Sequence, residues 1–190
     1  RDRLEFVVVD DGGKDVSAVA LAAIAPHHRI RLLTQVPNGG PAKARNLGAR
    51  EASGTLLAFT DDDCCPRPSW LRELATAVAE QPTVLVGGHV ENALDQNLFA
   101  QASQDLVSYL CDYFPQGRSL LPFFTSNSMA CHRDGFLRIG GFDETFRFSA
   151  AEDRDLSERW AREIGPLRHL AGAVVDHYHE LTFRRFVTAS

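Results

Sequence analysis

Runs of apolar residues alternate with helix-forming segments through the first half of the chain. The run at residues 6–9 is continuously β-branched and aromatic and stops at Asp10, which is typical of a strand covered on both faces. Residues 16–25 then predict a helix that ends before Pro26. The pattern continues with strands at residues 30–36, 55–60 and 83–90 and with helices at residues 41–52 and 70–80, the second of them capped by Ser69. Such an alternation indicates βαβ units, a parallel sheet and an α/β domain.

The second half of the chain is less regular. It predicts a helix over residues 95–113, a loop over 115–122, an unusually polar strand over 125–132, a turn at Gly140 and Gly141, a helix over 152–163 and a short strand over 172–176. No internal repeat, low-complexity segment or change of composition marks a linker. The sequence therefore predicts one domain over residues 1–190.

The composition is ordinary for a soluble globular domain, with 44% hydrophobic and 24% charged residues. The formal net charge of −5 argues against nucleic-acid binding, because there is no basic excess to pair with phosphates. No apolar stretch is long enough to span a bilayer, and no secretory signal is visible. The cysteines form no C-x-x-C pair, which favours reduced, buried thiols and a cytoplasmic setting; they are Cys64, Cys65, Cys111 and Cys131.

Three adjacent carboxylates, those of Asp61, Asp62 and Asp63, end the strand predicted at residues 55–60. Their mutual repulsion costs stability unless positive charge lies between them. A divalent cation chelated by a nucleotide diphosphate would supply that charge, because Mg²⁺ and Mn²⁺ prefer hard oxygen ligands. The alternative is a solvated acidic turn that caps the next helix. The position directly after a buried strand favours the metal site.

A second acidic strand end, Asp10-Asp11, precedes this triplet and is followed by glycines. Acidic side chains at two such strand ends would hydrogen-bond ribose hydroxyls or a base N–H, or bind metal, whereas an Asp-Gly turn is the common alternative. Between them lie Lys43 and Arg45, early in a predicted helix whose amino end faces the same sheet edge. Their charges would offset the acidic cluster and touch phosphate, although for Lys43 a solvated helix face is the favoured interpretation.

Glu152 and Asp153 open the helix predicted at residues 152–163. The helix dipole stabilises carboxylates at a helix amino terminus, so simple capping is one interpretation. The other is a general base that removes a proton from an attacking hydroxyl. After the last predicted strand, His177 and His179 are two residues apart. One imidazole would complete the coordination of a metal there, and a buried, hydrogen-bonded histidine is the common alternative.

Six short motifs follow one another along the chain at suitable spacing. They are Val7-Val8-Val9-Asp10-Asp11-Gly12-Gly13, Ala44-Arg45-Asn46-Leu47-Gly48, Ala58-Phe59-Thr60-Asp61-Asp62-Asp63 with Pro66 and Trp70-Leu71, Ser126-Asn127-Ser128-Met129, Gly140-Gly141-Phe142-Asp143-Glu144, and Glu152-Asp153-Arg154-Asp155-Leu156. In this order they resemble the motifs of the family 2 glycosyltransferases. Each motif alone is unspecific, but the resemblance extends from about Phe6 to Phe186.

The resemblance implies a GT-A fold, with a Rossmann-like, mostly parallel sheet flanked by helices. It implies an inverting, hexosyltransferase-type enzyme that moves a sugar from a UDP-, GDP- or dTDP-linked donor to an acceptor hydroxyl, with Mn²⁺ or Mg²⁺ as cofactor. The nucleotide-binding half would cover about residues 1–90 and the acceptor-side half about residues 91–190. The acceptor would be a saccharide, a lipid-linked molecule or a small molecule, and a lipid-linked acceptor would place the enzyme at the cytosolic face of a membrane.

Roles for individual residues also follow from the resemblance. The donor nucleotide would be bound by Asp10, Asp11, Arg45, Asp61 and Asp62, with Asp61 facing the ribose. The metal that bridges the diphosphate would be bound by Asp63, Asp61 and either His179 or His177. Asp153 would be the catalytic base, and Glu152 would contact the acceptor or position that base.

Two departures from the family pattern leave alternatives open. The usual first strand of the family, with a loop that grips the base, is absent from this sequence, and Asp62 stands where a small residue is usual. A degenerate domain would bind sugar nucleotide without turnover. A haloacid-dehalogenase-like phosphohydrolase fits less well, because its motif requires Thr or Val where Cys65 stands.

Overall fold

The structure is a computed structural model that describes residues 4–13, 17–24, 28–113, 123–146 and 151–183. The strands in these ranges are β1 (Glu5–Asp11), β2 (Arg29–Gln35), β3 (Leu56–Phe59), β4 (Cys64–Pro66), β5 (Leu85–Asn92), β6 (Met129–His132) and β7 (Leu167–His177). The helices are α1 (Ala18–Ile24), α2 (Pro41–Glu51), α3 (Trp70–Glu80), α4 (Leu98–Tyr113), α5 (Arg133–Arg138) and α6 (Glu152–Glu163), with a 3₁₀ turn at Ser126–Ser128. Within the same ranges, no helix has the length and apolar character needed to cross a membrane.

The strands form one pair and one five-stranded sheet. Strands β1 and β2 pair in parallel, with Glu5 opposite Arg29 and Asp11 opposite Gln35. The larger sheet has the order β3-β6-β5-β7-β4, in which β5 and β7 are parallel and the other neighbours are antiparallel. The sheet is therefore mixed, because β4 and β6 run against the strands beside them.

Strand pairing does not join the two sheets in the described part of the chain. Within it, β1 hydrogen-bonds to β2 alone, and β3 to β6 alone. Each of these two strands thus presents one edge without a partner strand in these ranges. The absence of the usual first strand of the family from this sequence stays a prediction.

Helices cover both faces of the five-stranded sheet. Helix α3 packs on one face, where the cluster includes Trp70 and Leu74. Helices α2, α5 and α6 pack on the other face, around Phe136 and Trp160. Adjacent residues of β5 divide between the two clusters as the alternation of side chains along a strand requires. The core is therefore continuous through the sheet and holds the strand ends in fixed positions.

Most predicted elements are confirmed, with boundary shifts of a few residues. Helices α3 and α6 have the predicted bounds, but the Ser69 hydroxyl hydrogen-bonds to the Gly172 carbonyl and does not cap α3. The strand predicted at residues 125–132 is wrong in its first half, because Ser126–Ser128 form a 3₁₀ turn before β6. Strand β4 and helix α5 were not predicted, and β7 is longer than residues 172–176.

Some sequence predictions fall on positions outside the described residues. These positions are 16, 25–26, 115–122 and 186. The side chain of Cys111 also lies outside them. The thiols of Cys64, Cys65 and Cys131 are free. Cys131 is buried as expected, whereas the expected burial is wrong for Cys64, which is half-buried, and for Cys65, which is exposed.

The acidic triplet lies across one edge of the large sheet. Strands β3, β5 and β7 run in the same direction, so their carboxyl ends meet at this edge. Residues 60–63 connect β3, the first strand of the sheet, to β4, the last one. Because the connection is short, Asp61 leaves the β3 side and Asp63 arrives beside β7. The topology therefore separates the members of the triplet.

Candidate active site

Arg45 on α2 joins two acidic segments at this sheet edge. Its Nη2 donates to Asp61 Oδ1 at 2.8 Å, and its Nη1 donates to Glu152 Oε1 at 3.2 Å. The guanidinium also lies 5.8 Å from the centre of the Phe142 ring. Burial alone would lower the pKa of Arg45, but the carboxylates of Asp61 and Asp153 raise it above its ordinary value. Arg45 is thus a permanent positive charge between the end of β3 and the start of α6.

The carboxylate of Asp153 lies beside this charge and has one oxygen without a hydrogen-bond partner in the described part of the chain. Its Oδ2 accepts a hydrogen bond from the backbone N–H of Ser126 at 3.0 Å. Its Oδ1 is buried and has no hydrogen-bond partner among the described residues. Burial raises the pKa of Asp153 to about 6, with Glu152 adding to the rise and Arg45 opposing it. A carboxylate with a raised pKa and an open oxygen is suited to accept a proton near neutral pH.

A second cluster forms where β4 pairs with β7. Asp63 Oδ2 is 3.3 Å from His177 Nε2 and 3.3 Å from His179 Nδ1. The two imidazole rings stack with centres 5.2 Å apart. The backbone N–H of Tyr178 donates to the Asp63 carbonyl at 2.8 Å, which fixes the two segments together. Although burial raises the pKa of Asp63, the two histidines lower it below its ordinary value.

These three side chains have the chemistry of a divalent metal site. One ligand atom from each of Asp63, His177 and His179 lies within 4.8 Å of the others. A carboxylate and two imidazoles are groups that commonly bind divalent metal ions in proteins. The structure thus brings together Asp63 and both candidate histidines. It does not bring Asp61 into this cluster.

The members of the acidic triplet have different surroundings. Asp61 pairs with Arg45, and Asp63 faces the histidines. Asp62 is exposed at the turn between them. The backbone N–H of Cys64 donates to the Asp61 carbonyl at 3.2 Å and closes that turn. Because Asp61 and Asp63 point to different neighbours, the repulsion expected for the triplet is relieved at its two ends.

Asp11 at the end of β1 holds the loop before α2. Its Oδ1 accepts from Gln35 Nε2 at 2.7 Å and from the Gly39 N–H at 2.8 Å, and its Oδ2 accepts from the Gly40 N–H at 2.8 Å. Gly40 has φ 88°, a left-handed conformation that favours glycine immediately before a helix. Asp10 accepts only from the Gly13 N–H, at 3.1 Å, among the described residues. Asp11 therefore holds the loop before α2 in place, while the carboxylate of Asp10 accepts fewer hydrogen bonds from the described residues.

Two features of the site did not emerge from the sequence. Asn46 fixes the loop before α6, since its side chain both accepts from the Phe142 N–H at 2.9 Å and donates to the Phe142 carbonyl at 2.8 Å. The turn Ser126–Ser128 supplies the N–H that binds Asp153. The unusual polarity of residues 126–128 was the available signal, because a buried strand rarely carries three polar residues in a row.

The chain is similar to known glycosyltransferases. The model of the family described as Glycosyl transferase family 2 matches residues 1–143. Pre-mycofactocin glycosyltransferase of Mycobacterium tuberculosis is 29% identical over 97% of the chain and 39% of the relative. Glycosyltransferase AglE of Haloferax volcanii is 33% identical over 48% of the chain and 30% of the relative. The chain thus spans about two fifths of the length of the first of these relatives.

Solved structures confirm the fold. The mannosyltransferase PcManGT from Pyrobaculum calidifontis, in complex with GDP-Man and Mn²⁺, has a TM-score of 0.74 at 22% identity, over 100% of this chain and 51% of that one. GalNAc-T7 with UDP, GalNAc and Mn²⁺ has a TM-score of 0.71 at 15% identity, over 93% of this chain and 38% of that one. The predicted α/β, GT-A fold is therefore confirmed.

Proposed function

The chain belongs to glycosyl transferase family 2, and from this membership we propose that it transfers a sugar from a nucleoside-diphosphate donor to an acceptor hydroxyl, with inversion at the anomeric carbon. One observation carries the proposal most directly: a buried Asp153 oxygen, without a hydrogen-bond partner among the described residues, lies on a carboxylate that interacts with Arg45. Arg45 pairs in turn with Asp61, two residues before Asp63 of the cluster with His177 and His179. The similar structures that hold UDP or GDP-Man with Mn²⁺ support this class of donor.

The cation site of this proposal consists of Asp63, His177 and His179. A divalent cation bound there would neutralise the charge that develops on the departing diphosphate. Mn²⁺ is the proposed ion, because the similar structures hold it together with a nucleotide or nucleotide sugar. Asp61 is assigned instead to the nucleotide, because Arg45 already engages its Oδ1 and draws it away from the cluster.

Asp153 is the proposed general base. The open Oδ1 accepts the proton of the acceptor hydroxyl as that oxygen attacks the anomeric carbon. A pKa of about 6 keeps this carboxylate mostly ionised at neutral pH and close to the optimum for proton transfer. A single displacement of this kind forms no covalent sugar intermediate, so the product has the inverted configuration.

Glu152 and Arg45 position the base. Glu152 is 1% exposed and adds negative charge beside Asp153. Arg45 holds the Glu152 carboxylate by a hydrogen bond of 3.2 Å. The same guanidinium binds Asp61 on the donor side. Because Arg45 contacts both Asp61 and Glu152, it holds the donor side of the site at a fixed distance from the base. Such positioning lowers the entropic part of an activation barrier.

The donor nucleoside is assigned to the edge formed by Asp10, Asp61 and the exposed Asp62. Asp11 contributes by holding the loop at Gly39 and Gly40, since both of its oxygens already accept hydrogen bonds from that region. The proposed acceptor is a hydroxyl of a saccharide, a lipid-linked molecule or a small molecule. Activity, donor and acceptor are proposals for the whole protein, because this chain spans only part of its relatives.

Calorimetry with UDP-, GDP- and dTDP-linked sugars, with Mn²⁺ and then with excess chelator, tests the donor proposal. We expect one nucleotide class to bind and chelator to weaken that binding at least tenfold. A parallel assay of nucleoside diphosphate release separates an enzyme from a degenerate domain, because the latter binds donor without turnover. Binding that chelator leaves unchanged would contradict the metal role.

A further inference from the structure

Cys64 hydrogen-bonds to a member of the cation cluster, the group formed by Asp63, His177 and His179. The cysteine is the first residue of β4 and directly follows Asp63 in the chain. Its Sγ donates a hydrogen bond to Asp63 Oδ1 at 3.7 Å. A carboxylate would repel a thiolate, so the thiol keeps its proton and acts as the donor. The two oxygens of Asp63 therefore have different partners, because Oδ1 accepts from the thiol while Oδ2 faces the two histidines.

The pairing of β4 with β7 holds the thiol beside this carboxylate. Cys64 lies directly opposite His177 in the antiparallel register, and directly opposite residues of such a pair project from the same face of the sheet. The half-buried side chain of Cys64 also packs against the apolar cluster that includes Trp70 and Leu74. Strand pairing and the core therefore set the position of the thiol.

The adjacent cysteine, Cys65, has different surroundings. Successive residues of a strand project from opposite faces of the sheet, so Cys65 lies on the other face of β4. Its side chain is exposed, and the residue opposite it on β7 is Asp176. Cys65 is therefore a matched control for Cys64, with the same chemical group on the opposite face of one strand.

We propose that Cys64 is a positioning residue, whose thiol donates to Asp63 Oδ1 and leaves Oδ2 to bind the cation. This inference rests on the proposed function, in which the cation cluster binds Mn²⁺. Carboxylates that bind metal ions are themselves hydrogen-bonded by neighbouring groups, and removal of such a partner typically costs about tenfold to a hundredfold in metal affinity. Because a thiol is a weak donor, we expect an effect at the lower end of this range.

The test compares Cys64→Ala with Cys64→Ser. The two replacements have nearly the same size, but only serine provides a donor for Asp63 Oδ1. The affinity for Mn²⁺ is measured by electron paramagnetic resonance without nucleotide. We expect Cys64→Ala to bind Mn²⁺ about tenfold more weakly than the wild type and Cys64→Ser to recover most of this loss. A serine variant that binds Mn²⁺ no more tightly than the alanine variant would overturn the inference, because a packing role would affect both alike.

Further variants separate positioning from folding. Cys64→Val and Cys64→Thr repeat the comparison with larger side chains of nearly equal volume, so that no cavity is left beside β4. The threonine variant, which has a hydroxyl donor, should bind Mn²⁺ more tightly than the valine variant, and the reverse order would overturn the inference. Cys65→Ala should bind Mn²⁺ as the wild type does. A loss in Cys65→Ala as large as that in Cys64→Ala would also overturn the inference.

The failure of the proposed function has a different signature. A wild type that binds no Mn²⁺, or whose Mn²⁺ binding survives Asp63→Ala, would contradict the cation site itself and the role of Cys64 with it. Mn²⁺ binding that depends on Asp63, but has the same affinity in Cys64→Ala as in the wild type, would contradict the role of Cys64 alone.

Discussion

The guanidinium of Arg45 donates a hydrogen bond of 3.2 Å to the carboxylate of Glu152, across 107 residues of sequence. Both side chains are largely removed from solvent, at 15% and 2% exposure. This contact ties α2 to the first turn of α6, the helix that carries Asp153. The geometry of the proposed base therefore depends on a charge supplied from the donor half of the site.

Replacing Arg45 by Leu should destabilise the fold. The change removes a positive charge that pairs with the buried Glu152 carboxylate, and removing one member of a buried ion pair typically costs about 3 kcal/mol. Urea unfolding measures this loss. Arg50→Leu is the matched control, because its ion pair with Glu144 is exposed and should contribute at most about 1 kcal/mol. Equal losses for the two variants would contradict the account.

Removal of the Asp63 carboxylate should abolish specific Mn²⁺ binding. Asp63 is the member of the triplet that faces His177 and His179, so Asp63→Ala leaves only two ligands. Titration of Mn²⁺ followed by electron paramagnetic resonance measures the affinity. Asp62→Ala is the matched control, since Asp62 is exposed and lies outside the cluster. The assignment fails if Asp62→Ala weakens Mn²⁺ binding as much as Asp63→Ala does.

Asp11 should matter more for stability than Asp10. The Asp11 carboxylate accepts three hydrogen bonds that hold the loop before α2, whereas that of Asp10 accepts one among the described residues. We expect Asp11→Ala to lose about 2 kcal/mol of unfolding free energy and Asp10→Ala less than about 1 kcal/mol. Denaturant unfolding of both variants provides the comparison. A reversed order would show that the loop does not depend on Asp11.

The pH dependence of stability should carry the signature of Asp153. Its pKa is about 6 in the folded chain, above the ordinary value of 3.8, so the folded state binds the proton more tightly than the unfolded state. Stability contributed by the protonated form is therefore present below about pH 4 and is lost as pH rises to about 6. Asp153→Asn removes this loss and should be more stable than the wild type at pH 7, by on the order of 2 kcal/mol.

Unfolding of wild type and Asp153→Asn between pH 4 and pH 7 checks this prediction. The difference in unfolding free energy between the two proteins should grow with pH across this window. Both proteins are measured without added metal, so that cation binding at Asp63 does not contribute. A difference that stays constant with pH would show that Asp153 titrates at its ordinary pKa.

Much of the fold was predictable because local signals agreed with the tertiary structure. Helices α3 and α6 have strong apolar periodicity and clear ends, and their bounds match the prediction. The mixed sheet was not predictable from the βαβ alternation, since the direction of β6 depends on pairing with β3 and β5, which are distant in sequence. Strand β4 escaped detection because three residues following an acidic turn carry no periodic signal.

The sequence predicted which residues belong to the site, but not which of them contact one another. The sequence brought Asp61 and Asp63 into one metal site, and the structure directs Asp61 to Arg45 and Asp63 to the histidines. That division arises from the crossing between β3 and β4, which no local pattern indicates. The presence of both His177 and His179 in the cluster with Asp63 likewise depends on the path of the chain after β7.

The most direct test of the central claim is the transfer rate of Asp153→Asn at saturating donor and Mn²⁺. The variant keeps the shape of the side chain and the cluster at Asp63, so donor affinity measured by calorimetry should stay within about twofold of the wild type. Transfer, followed as release of nucleoside diphosphate in the presence of acceptor, should fall by at least about a hundredfold, the contribution typical of a general base. Transfer at a near wild-type rate with intact donor binding would contradict the role of Asp153 and leave it as a helix cap.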